Sequence, residues 1–274
     1  MTTLTLPRLP VPTRPRRRLG LIAGALIAVG LIVVHIWAFT LTDFSVSALI
    51  GGWSGMVDFL SSAIPPDLSW STVVQPGIEA CLVTLAIALV GTTLSIPFSV
   101  ALAVLGARTT SRNSFVYQAA RGVMSFLRAV PDIVFALIFV TAVGLGPFAG
   151  VLALIFHNSG VMAKLWSETM EEIDDGPTEA LRVGGASSAQ VAVHAVLPSV
   201  VPQCVGLLLY RFDVNVRSSL VLGLVGAGGI GFLINQSIAL FRFDQMLTYI
   251  LMVLVMVVAV DLLSGAVRRR LGAA

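Results

Sequence analysis

The sequence predicts an all-α integral membrane protein with six transmembrane helices. Three observations carry this. Of the 274 residues, 57% are hydrophobic and only 11% are charged, whereas soluble domains carry about 25% charged residues. Six apolar segments are long enough for a bilayer, which takes about 20 residues per helix. The basic residues, sixteen Arg and the single Lys164, gather in short clusters between those segments, where they report topology. No aromatic-interleaved basic patch points to RNA or DNA. Cys81 and Cys204 lie in apolar segments and fit neither a disulfide framework nor a metal site.

Taken in order, residues 1–18 are Pro- and Arg-rich and read as a disordered cytoplasmic tail. The first span, 19–41, exceeds the roughly 7–15 residues of a signal-peptide core, and no small-x-small cleavage site follows, so it is expected to be retained. Residues 42–76 contain Asp43, Asp58 and Asp67 but no Lys or Arg, and belong outside. Within them, 47–60 predicts a short interfacial helix ahead of Pro65-Pro66. Span two, 77–105, would rise about 43 Å as a straight helix, so it must tilt, protrude or bend, with Pro97 as the candidate bend. Arg108, Arg112, Arg121 and Arg128 then lie inside. Span three, 123–145, carries Arg128, Pro131 and Asp132 at its start. Pro131 is expected to break the helix and Arg128 to pair with Asp132, four residues on. The short uncharged "GLGPFAG" is outside, followed by span four, 147–165. Spans five and six are 199–222 and 244–264, and Arg268, Arg269 and Arg270 sit in a cytoplasmic tail, 268–274. Every cluster agrees with two cytoplasmic termini except Arg242, alone beside Asp244.

The segment 166–198 is then cytoplasmic. It is acidic first, with Glu168, Glu171, Glu172, Asp174 and Asp175, and Gly176-Pro177 breaks the chain. Pro177 suits the first turn of a helix. That helix would run from Thr178 to Val183, pause at Gly184-Gly185, resume from Ser187 to His194 and end at Leu197-Pro198. Two short helices with small side chains make a knob that can enter a groove on a partner.

This stretch resembles the EAA loop of ATP-binding-cassette importer permeases. Glu179, Ala180, Gly185, Leu197 and Pro198 fall on that pattern at its spacing, while Leu181 and Ala195 depart from it. Further pieces resemble the phosphonate/phosphate-type branch: "RAVPDIVFALIFV" (128–140), "HNSGVMAKLWSE" (157–168), "LYRFDVNVRSSLVLGLVGAGGIG" (209–231) and "DLLSGAVRRRL" (261–271). The likeness covers roughly residues 75 to 271. It implies a type I ABC importer permease fold with a permease core over 77–267. It also implies a homodimer, two nucleotide-binding ATPase subunits docked on the loop, an extracytoplasmic substrate-binding protein, and residence in the bacterial cytoplasmic (inner) membrane. Glu179 would meet a basic residue of the ATPase, and Gly185 would provide the turn between the short helices. No G-x-x-x-x-G-K-[ST] occurs in the chain, so no cofactor is expected on it, and ATP and Mg would be used by the partner ATPase.

Span five holds Arg211, Asp213, Asn215 and Arg217. A lipid-facing Arg at a span centre costs about 2.5–3.5 kcal/mol, so these groups should face protein or water. Asp213 and Arg217, four apart, are expected to pair, which leaves one uncompensated charge on Arg211. Two such charges about a dimer axis would suit a tetrahedral oxyanion, because guanidinium binds it through paired hydrogen bonds. The alternative is that these residues only pin helices together. His157 and Asn158, near the middle of span four, are candidates for the same pathway or for interhelical bonds. Gly226, Gly228, Gly229 and Gly231 follow span five. Three of them match G-x-G-x-x-G, but no strand or βαβ unit surrounds them. They fit a broken, re-entrant segment able to gate the pathway. The expected function is therefore import of phosphonate, phosphate or a related oxyanion such as phosphite. The alternatives are a permease of the same fold for methionine or polar amino acids and, remotely, an intramembrane enzyme. For the enzyme the sequence lacks paired intramembrane Asp, a Ser/His dyad and metal-ligand motifs, so no catalytic or metal residue is assigned.

Overall fold

In the computed structural model, residues 17–111 and 113–270 are described. The tail 1–16, Arg112 and residues 271–274 of the expected C-terminal tail lie outside the described residues. The chain divides into two units, 1–58 and 59–274.

In the first unit, α1 (Arg17–Leu41) covers the first predicted span. Its apolar side chains are open on every side; Leu21 is 71% and Trp37 63% exposed. An all-round apolar helix without a protein shell belongs in lipid. The single interfacial helix expected over 47–60 is instead two, α2 (Val46–Gly51) and α3 (Trp53–Ala63). Ser45 caps α2 by accepting from the Ala48 amide at 3.1 Å, and Gly52 ends it.

The second unit is built around α4 (Gln75–Gly106), entered through a π-helical turn, Trp70–Val74. The helix runs unbroken through Pro97, so the expected bend takes the form of added length. One span, broken at Pro131, was expected over 123–145. The chain there forms α5 (Ser114–Ala129) and α6 (Asp132–Val143), which meet at 84°. Pro131 is the cause. It lacks an N–H and disfavours helical backbone at Val130, which stands extended at φ −83, ψ 119. Next, α7 (Pro147–Glu171) extends the fourth predicted span by a turn and a half, so the connection that follows starts at 172 rather than 166.

Beyond the connection described below, α10 (Leu197–Leu224), α11 (Ile230–Ala239) and α12 (Phe243–Arg270) complete the unit. Among the described residues, five helices are long and apolar enough to cross a membrane, or six if the bent α5–α6 pair is one crossing. The core lies where α4, α7 and α10 meet: Ile87, Ala153, Leu154 and Leu222 are buried together, and Ala103, Met162, Trp166 and Val200 form a second cluster. At the α12 entrance, Asp67 receives the Ser69 amide at 2.9 Å and Gln245 Nε2 at 3.3 Å. The bonds from Ser69 hold the Asp67 carboxyl below its ordinary range, so it remains an ionised acceptor through neutral pH.

Candidate functional site: an elbow and a polar seam

The elbow begins with α8 (Asp175–Val183). Asp174 caps it by accepting from the Gly176 amide at 3.1 Å. Glu179 and Ala180 stand exposed on this arm, and Thr178 is buried. Gly185 has φ +83, a left-handed conformation that turns the chain after the helix. Around it the Gly185 amide donates to Arg182 O and the Ala186 amide to Leu181 O, both at 3.0 Å.

The second arm is α9 (Ser188–Val191), started by a reciprocal cap: Ser187 Oγ accepts from Gln190 N at 3.3 Å and Gln190 Oε1 accepts from Ser187 N at 2.8 Å. Ser-x-x-Gln was present in the sequence as a capping signal. Leu197-Pro198 was expected to end this arm, and it does not. The helix widens into a π turn, Ala192–Val196, with the Leu197 amide bonded to Ala192 O, and continues as α10. Pro198 cannot donate, and its ring would press on the carbonyl four residues back. The wider turn relieves both. Val191, Ala195 and Val196 are buried against Ala103, Ala107, Trp166 and Met170. One arm is therefore bound into the bundle and the other, bearing Glu179, faces outward.

A polar seam joins α4, α7 and α10. Arg211 donates from Nε to Asn158 Oδ1 at 2.7 Å. Asn158, fully buried, donates to Ser95 Oγ at 2.6 Å. Asn215, also fully buried, donates to Thr92 Oγ1 at 2.7 Å, and its Oδ1 has no partner among the described residues. His157 bonds through Nδ1 to Val130 O at 3.0 Å, the carbonyl freed at the α5–α6 break. It braces that break. Thr92, Ser95 and Ser99, spaced three and four apart on one buried face of α4, were legible in the sequence as a hydroxyl stripe and were missed.

Two expected pairs are not formed. Asp213 does not pair with Arg217: Arg268 reaches Asp213 Oδ2 at 3.2 Å, and Arg217 bonds Asp261 Oδ1 at 2.6 Å. An antiparallel neighbour satisfies both, since ascending α10 from 213 to 217 descends α12 from 268 to 261. Arg128 does not pair with Asp132 either. Asp132 Oδ1 accepts from the Ile133 amide at 2.9 Å and Arg128 is exposed. Arg211 forms no ion pair among the described residues, and its side chain is held there by Asn158. The 211–217 stretch is nevertheless off the span centre. Asp261 lies about 26 Å along α12 from Asp244, across an apolar run, so the α10–α12 pairs mark the edge of the apolar layer that carries Arg268–Arg270.

The glycines form a tight turn between α10 and α11. Gly226, Gly228 and Gly229 have φ +96, +77 and +72. The Gly146 amide bonds Gly226 O at 2.9 Å and the Ile230 amide bonds Thr84 Oγ1 at 3.0 Å, which fastens the turn to α7 and α4. Gly231 lies inside α11 against Leu220 O and Gly223 Cα, a close helix approach. With 10 residues, about 15 Å, α11 is too short to cross.

An apolar helical bundle with a bent helix pair, a glycine turn and a projecting elbow has the architecture of a membrane transport subunit. Residues 95–273 match the family described as binding-protein-dependent transport system inner membrane component, and the chain belongs to it. The chain is 37% identical over 254 residues (92% of its length, 89% of the relative's) to the phosphite transport system permease protein PtxC of Stutzerimonas stutzeri. It is 40% identical over 237 residues to the phosphate-import permease protein PhnE of Mycolicibacterium smegmatis, covering 86% of this chain and 43% of that one. The inward-facing MetNI methionine ABC transporter superposes with a TM-score of 0.59 over 73% of this chain and 95% of its own, at 22% identity. That likeness shows the fold alone.

Proposed function

We propose that this chain is the permease subunit of an ATP-driven importer for a phosphorus oxyanion: phosphite, phosphate or a phosphonate. The observation that carries the substrate class is the identity to the phosphite permease, 37% across nearly the whole chain. Arg211 supports it, as a cation in the polar seam that forms no ion pair among the described residues. Two copies would meet about the seam, with both termini cytoplasmic. Two ATPase subunits would dock on the exposed α8 arms, and an extracytoplasmic binding protein would deliver the solute. ATP closure would draw the arms together, rock the helices and open the cavity outward, and release inside would follow hydrolysis. A methionine substrate is the weaker reading: the probable D-methionine permease protein of Haemophilus influenzae is 23% identical over 168 residues, against 37% over 254 for the phosphite permease.

The test is ATP hydrolysis by the assembled complex, with its binding protein, against a panel of phosphite, phosphate, methylphosphonate and amino acids. Stimulation by one or more phosphorus oxyanions and none by amino acids is expected. Stimulation by amino acids alone would overturn the substrate class.

A further inference from the structure

The ends of α4 and α7 meet the middle of α5 at one carboxylate beside the elbow. Glu171, the last residue of α7, accepts at Oε1 from Arg121 Nη2 of α5 at 2.8 Å and from the Arg108 backbone amide at 2.9 Å. Arg121 also donates from Nε to Gly106 O, the end of α4, at 2.9 Å. The Thr109 hydroxyl donates to Met170 O at 3.1 Å, so the loop after α4 is tied to α7 twice. Tyr117 of α5 adds a third fastening: its hydroxyl bonds Arg108 Nε at 3.2 Å, and the Arg108 and Arg121 guanidinium groups lie 5.6 and 5.1 Å from its ring centre. From the other side, Arg182 in the last turn of α8 donates from Nη2 to Thr109 O at 3.4 Å.

We propose that the loop of residues 107–111 is a second path by which motion of α8 enters the bundle, and that Glu171 is the positioning residue that holds this path together. It rests on the reading of α8 as the ATPase-docking arm. The chain itself offers one route from α8, through α9 and the π turn into α10. The Arg182–Thr109 contact offers another, into α4, α5 and α7 together. Displacement of α5 then bears on the Val130-Pro131 break and on α6 beyond it. The Arg121–Glu171 side chains are only 19% and 24% exposed, so water screens the pair less than a surface bridge. Without the carboxylate, the Arg108 amide and Arg121 lose a common acceptor, and the three helices can slide past one another.

The experiment measures solute imported per ATP hydrolysed in the reconstituted full complex, with ATPase stoichiometry measured on the same sample. Glu171→Ala is expected to lower that ratio about fivefold, with the ATPase still bound at wild-type stoichiometry. Thr109→Val, which removes one hydroxyl and keeps the shape, is expected to lower it in the same direction. A wild-type ratio in Glu171→Ala, or import and hydrolysis falling in equal proportion, would overturn the proposal. If Glu171→Ala does not assemble, Thr109→Val decides, and a wild-type ratio there overturns it. Failure of the docking reading is seen separately, as retention of the ATPase by Glu179→Arg.

Discussion

Arg211 and Arg217 lie six residues apart on α10 in opposite surroundings. Arg211 is held by Asn158 and forms no ion pair among the described residues, whereas the Arg217–Asp261 pair is about half exposed, 52% and 46%. An exposed pair contributes about 0–1 kcal/mol, so Arg217→Ala should leave uptake near wild type. Arg211→Ala should lower uptake more, and also leaves buried Asn158 Oδ1 unpaired at about 1–3 kcal/mol. Vesicle uptake assays separate the two, and wild-type uptake in both would reduce these charges to helix pinning. Gly229 stands at φ +72, ψ −168, a region that only glycine adopts readily, with Thr84 Oγ1 where a Cβ would go. Gly229→Ala should cost about 1–3 kcal/mol, seen as a lower thermal unfolding midpoint in detergent. An unchanged midpoint would mean the turn relaxes freely. At this scale the sequence showed which residues are charged but not whom they meet. The spacing of Asp213 and Arg217 favoured a local pair, yet such a pair adds only about 0.2–0.5 kcal/mol. Partners on α12 outcompete it, and no periodicity within α10 points to them.

Among the elements, the elbow was the most legible. Pro177, Gly184-Gly185 and Ser187 set its two arms, since each acts on the backbone within a turn of itself. Pro131 likewise marked a break. Its 84° consequence was not legible, because the angle is set by how α6 packs on α7 and by His157 bracing Val130 O. Pro198 misled, because a proline signals a lost hydrogen bond, not whether a helix stops or widens around it. The arms predict a division of labour: the second is buried, and the first presents Glu179. Glu179→Arg places a like charge opposite the expected basic partner. It should therefore release the ATPase during purification while the helical content by circular dichroism is unchanged. Normal assembly and uptake would show that the ATPase docks elsewhere.

For the molecule as a whole, apolar length and arginine placement were enough to find the bundle, because a bilayer tolerates so few backbone solutions. The seam needed three helices placed together before Thr92, Ser95, Asn158 and Arg211 could be recognised as one network. The bundle is expected to move solute only when a separate motor works the elbow. The direct measurement is uptake of phosphite or phosphate into proteoliposomes holding this chain alone, compared with vesicles holding the chain, its ATPase, ATP and the binding protein. Uptake above background only in the complete vesicles is expected; equal uptake by the chain alone would contradict the account.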